Sequence, residues 1–74
     1  MMKEFLLTAE FIELVKILKI FSVGQTGGQA KNLIKAGFVK VNGKTELRVK
    51  AKLRNGDVVE NEDLKILITS AEGT

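Results

Sequence analysis

Arg48, Lys50, Lys52 and Arg54 stand at every second position, separated by Val49, Ala51 and Leu53. Basic side chains at that spacing hold phosphates rather than make or break bonds. Extended backbone sends alternate residues to opposite faces, so the run 46–54 predicts a ribbon with four cations on one side. Lys40 and Lys44, across a preceding hairpin, continue that surface. Lys31 and Lys35 are four apart, which places both on one flank of a helix. Between Lys31 and Arg54 eight cations meet Glu46 alone, a local charge of +7, while the remainder of the chain carries −4 and the whole +3. Lysines spread over a surface ordinarily just keep it solvated. Here they alternate with apolar residues and the acids lie elsewhere, which favours a polyanionic partner.

The segment Gln25-Thr26-Gly27-Gly28-Gln29-Ala30-Lys31 offers a second phosphate-binding device. A helix N-terminus presents free N–H groups and partial positive charge, and glycines in its first turn admit close approach. Such glycines also occur in ordinary helix-start loops, and the Gly-Lys-Ser/Thr ending of a Walker loop is absent. Catalysis finds little support. There is no histidine and no cysteine, so imidazole acid–base work, thiolate or imidazole zinc sites and disulfides are all excluded. Asp57 reads as a turn residue after Gly56 rather than as a general acid. The expectation is a protein that is not an enzyme and takes no cofactor.

These residues need elements to hold them. Glu4–Thr8 suits a short strand, with Thr8 capping a following helix whose stripe is Phe11, Leu14, Val15 and Leu18, widened by Ile12, Ile17 and Ile20. A loop at 22–25 leads to a second helix opened by Thr26, with Ala30, Leu33 and Ile34 inward and Gly37 as its C-terminal cap. Phe38-Val39-Lys40-Val41 alternates like a strand, and Asn42-Gly43 is a hairpin turn. Asn55-Gly56-Asp57 and Asn61-Glu62-Asp63 mark further turns before a last strand, 64–69, with 70–74 frayed. Strand, two helices and a small twisted set of strands make an α+β domain. Its 74 residues allow one domain, spanning 1–74.

The stretch from Val23 to Gly43, above all Ala30-Lys31-x-Leu33-Ile34-x-x-Gly37-x-Val39-x-Val41-Asn42-Gly43, resembles the core of the S-four RNA-binding domain, named after a small-subunit ribosomal protein. Asn55-Gly56-Asp57-Val58-Val59 continues the likeness, which covers about residues 10–60 and leaves 64–69 as an extra strand. Glu46, Arg48, Lys52-Leu53-Arg54 and Gly56 resemble the small stand-alone bacterial proteins built of this domain. The resemblance implies an αL motif, two packed helices against a small twisted antiparallel β-ribbon. It also implies RNA contacts from Gln25, Thr26, Gly28, Gln29, Lys31, Asn32 and Lys35, then Lys40, Asn42 and Lys44, then Arg48, Lys50, Lys52 and Arg54. Thr26-Gly27 stands where the family often has Ser-Arg, so one charged phosphate ligand is missing.

With four Phe and no Tyr or Trp, base-stacking platforms are scarce, which points to folded RNA gripped through its backbone. Ribosomal or transfer RNA is the expected partner, with the ribosome as a possible setting. The alternative is an interaction module docking on a ribosome or an acidic protein. No apolar run reaches the ~18 residues of a membrane span, and the N-terminus does not read as a signal peptide. A cytoplasmic monomer is expected, with strand 64–69 either packed inside it or free to pair with a second chain.

Overall fold

The computed structural model describes residues 2–24, 27–62 and 64–70. The elements run β1 (Met2–Leu7), β2 (Ile12–Glu13), α1 (Leu14–Ile20), α2 (Gly27–Lys35), β3 (Lys40–Val41), β4 (Lys44–Thr45), β5 (Lys52–Leu53), β6 (Val58–Asn61) and β7 (Leu64–Ser70). This is a mixed α/β arrangement with two helices, consistent with the α+β expectation.

The first helix starts later than its apolar periodicity suggests. Ile12 and Glu13 pair antiparallel with Leu53 and Lys52, so the chain stays extended up to Glu13. Thr8 therefore caps nothing, and Glu13 occupies the N-cap position without a side-chain hydrogen bond. The orphan N–H groups of Leu14 and Val15 donate instead to the carbonyls of Ala51 (2.9 Å) and Val49 (3.1 Å). A distant loop does the work of a cap. Leu14, Ile17 and Leu18 are fully buried, but Ile20, expected in the stripe, faces solvent.

Both helices end the same way. Val23 N–H bonds to Leu18 O and Ser22 N–H to Lys19 O. In α2, Phe38 N–H bonds to Leu33 O and Gly37 N–H to Ile34 O. This paired pattern satisfies the last carbonyls and requires a left-handed residue after the helix. Gly37 (φ +87°) fills that place for α2, as expected, whereas Ser22 (φ +59°) fills it for α1. The two helices pack on each other, with Ala30 and Ile34 of α2 buried.

Asn42 and Gly43 both have positive φ, the type I′ geometry that joins two twisted strands, and β3 pairs with β4 across them. The run 46–54, however, is no extended ribbon. Only Lys52–Leu53 is a strand, and Arg48 to Ala51 closes a turn through Ala51 N–H to Arg48 O. Leu47 is exposed where alternation would bury it. The physical reason is the demand of α1: the Val49 and Ala51 carbonyls, about 6.6 Å apart along an extended strand, must converge on two adjacent N–H groups at its start.

The main sheet has five strands in the order β1-β7-β6-β3-β4. β6, β7, β3 and β4 pair antiparallel, but β1 runs parallel to β7, so the sheet is mixed rather than the antiparallel ribbon expected. Parallel neighbours need a long crossover, and both helices lie between these two strands in sequence. The last strand packs within the chain, between β6 and β1. It extends through Ser70, which pairs with Leu7 rather than fraying, while 71–74 lie outside the described residues. Leu7, Val59, Ile66 and Ile68 turn inward from the sheet to meet Leu14, Ile17, Leu18 and Ile34 in one apolar cluster.

Candidate nucleic-acid interface

On α2, Gly28, Gln29, Lys31, Asn32 and Lys35 are all exposed, opposite the buried Ala30 and Ile34. Lys31 and Lys35 share one flank one turn apart, and neither forms an ion pair among the described residues. Gln25 and Thr26, expected to open the helix toward phosphate, lie outside the described residues.

The second basic group converges despite the absence of a ribbon. Arg48, Lys50, Lys52 and Arg54 line one hollow of about 490 Å³ with Ala51 among them. The turn at 48–51 wraps the chain around this space, and β5 fixes Lys52. Phe11 steadies the far end: Lys52 Nζ lies 4.9 Å and the Arg54 guanidinium carbon 5.9 Å from its ring centroid. A ring face attracts cations while leaving their outward N–H groups open to a phosphate. Sequence reasoning assigned Phe11 to the helix stripe and missed this role; no local pattern announces it.

Arg48 differs from its neighbours. Its guanidinium grips Glu46 through Nε (3.0 Å) and Nη2 (3.1 Å), and its backbone N–H donates to the same carboxylate at 3.0 Å. The side-chain hydrogen bonds from Arg48, then its backbone N–H, hold the Glu46 carboxyl below its ordinary value, and the Arg48 pKa is raised in turn. Much of the Arg48 charge is thus answered inside the loop. Lys50, Lys52 and Arg54 form no ion pair among the described residues, although Glu13 stands directly opposite Lys52 across the β2–β5 pair.

The hairpin residues are placed elsewhere. Lys40 is exposed on β3, directly opposite Thr45 on one side and Glu60 on the other, and Glu60 also meets Lys65 at 4.0 Å. Its charge therefore stands in a row of mixed sign. Lys44 is exposed on the edge strand β4. Asn42 is committed to the fold: its Nδ2 donates to Asp57 Oδ1 (3.0 Å) and its Oδ1 accepts from Val58 N–H (2.9 Å). Asp57 in turn accepts from Arg54 N–H at 2.8 Å, so one carboxylate ties two turns together. Both of its carboxylate oxygens are committed to these turns.

Among the described residues no group of three or more His, Cys, Asp or Glu could hold a metal ion, and no helix is long and apolar enough to cross a membrane. No curated protein matches the sequence. A family model does, from residue 5 to residue 69, and it is the S4 domain, whose members generally bind RNA. The match takes in both helices, both basic groups and the strands that carry them, and this chain belongs to the S4 domain family.

Proposed function

We propose that the chain is a non-catalytic clamp for structured RNA, ribosomal or transfer RNA by class, held through phosphates on one basic face. Lys31 and Lys35 of α2 supply one part of that face, and Lys50, Lys52 and Arg54 supply the other. The observation that carries the reading is the hollow at 48–54, where basic side chains from both sides of a turn face a common space. Four cations gathered there face Glu46 on Arg48 and Glu13 opposite Lys52, which leaves an excess of positive charge that a polyanion relieves. The general RNA binding of the S4 domain family supports the same reading. The Glu46-bound Arg48 contributes less, and Lys40, beside Glu60, contributes least.

A salt titration of binding to a folded RNA tests this. If ~4–6 phosphates are engaged, log affinity falls against log salt with a slope of roughly −3 to −5. Lys31→Glu/Lys35→Glu and Lys50→Glu/Lys52→Glu should each weaken binding severely and flatten that slope by about two. Full affinity in both variants would reject the assignment. A complex that survives ribonuclease would instead identify an acidic protein as the partner.

A further inference from the structure

A pocket of about 340 Å³ lies along a second exposed stripe of α2, lined by Gly24, Gln29, Asn32, Leu33, Ala36 and Phe38. Residues 29, 32, 33 and 36 follow the i, i+3, i+4, i+7 spacing, so one stripe of α2 and its C-terminal cap forms a wall. Phe38 forms another. The residue is 59% exposed, because its neighbour Val39, just ahead of β3, takes the inward place. The Asn32 carboxamide is exposed and makes no hydrogen bond among the described residues. Gly24 closes the pocket with bare backbone: a Cβ there would stand 3.0 Å from Ala30 N and 3.3 Å from Gln29 Cβ.

This combination is selective about its occupant. Apolar walls with an aromatic ring suit a flat hydrophobic face, and a carboxamide offers a donor and an acceptor side by side. A nucleobase has both features, an apolar face and a polar edge. Lys31 lies around the helix from the pocket, but Lys35 is one turn on from Asn32, and neighbours at that spacing lie about 5–6 Å apart at Cβ, so a phosphate held by Lys35 brings its own nucleotide to the pocket rim. Bases inside an A-form helix have both faces covered, whereas bulged and loop bases are free to stack on protein rings. Resting on the RNA-binding reading above, we propose that the pocket receives a single unstacked base of the bound RNA. The base stacks on Phe38 and presents its edge to Asn32. The protein thereby distinguishes a stem with a bulge or loop from an unbroken duplex.

The test titrates the whole chain against a short RNA stem carrying one bulged 2-aminopurine, and against the same stem fully paired. The wild type should bind the bulged stem more tightly and alter the fluorescence of the 2-aminopurine. Phe38→Ala should weaken the bulged complex about ten-fold, as expected for loss of one base-on-ring stack, and leave the paired stem unaffected. Ala36→Leu fills the pocket with a good helix former and should do the same, which keeps the test readable if Phe38→Ala melts early. Equal affinity of the wild type for both stems, with no fluorescence change, overturns the pocket assignment while RNA binding stands. Variants that leave both affinities intact overturn it too and point to an apolar side chain of a protein as the occupant. Failure of the wild type to bind either stem removes the RNA reading itself.

Discussion

Glu46 accepts three hydrogen bonds from a residue two positions on, and the consequence is a titration that can be followed. The guanidinium of Arg48 favours the carboxylate, so Glu46 should lose its proton below the ordinary glutamate value of 4.5. A group whose folded pKa is depressed stabilises the fold above its unfolded pKa, and that contribution disappears as pH falls through the folded value. The loop at 46–48 is therefore held at neutral pH and loosens only in acid, on the low side of 4.5. An NMR titration should find Glu46 below the ordinary range in the wild type and back near it in Arg48→Met. An unchanged value in that variant would mean the ion pair is not what shifts it. Because Arg48 is largely exposed and solvent screens the pair, its effect on stability is small, and its larger effect is to hold one cation away from ligand. The sequence showed Arg48 as one of four equal cations. Its difference from the rest follows from the reach of Glu46 around a turn that no spacing rule describes.

At the scale of elements, the two helices were legible from their apolar periodicity and the end of α2 from Gly37, because these signals are local. The start of α1 was not, because its first N–H groups are satisfied by carbonyls some 35 residues away, at Val49 and Ala51. The same long-range demand bends 46–54 out of the extended form that its alternation suggested, yet the four cations still face one hollow. The end of α1 carries a measurable cost. Ser22 is held at φ +59° to complete the cap, a region that disfavours residues with a Cβ by about 1–2 kcal/mol, although glycine loses more chain entropy on folding. Ser22→Gly should consequently stabilise the protein by about 0.5–1 kcal/mol. A thermal melt would register this as a rise of several degrees in Tm for a chain of this size. A lowered Tm would show that the Ser22 side chain supports the turn in some way its backbone does not reveal.

For the molecule as a whole, the resemblance legible in the sequence spanned about residues 10–60 and left the last strand as an addition. The sheet order places that strand inside the sheet rather than at its edge. β7 is the neighbour of both β1 and β6, and all six residues of β1 pair with it. No local pattern identifies β1 as its partner, since paired residues such as Met2 and Lys65 stand 63 positions apart. Ile66 and Ile68 are fully buried, and burial of each contributes about 1.5–3 kcal/mol. Removing β7 also strips cover from Val59 and leaves β1, with its buried Leu7, without a ladder. A chain of this length has a total margin of roughly 4 to 11 kcal/mol, which losses of this size exhaust. A chain ending at residue 62 should therefore show no cooperative melt, although it retains every cation assigned to RNA binding. Ile68→Ala should give the graded version, a loss of about 2–5 kcal/mol in a denaturant titration with the fold retained if the margin allows. A cooperative transition in the truncated chain would mean that the helices and the 38–61 hairpins form a sufficient core by themselves. The outer strands would then be dispensable to the RNA-binding surface rather than the support that holds it in place.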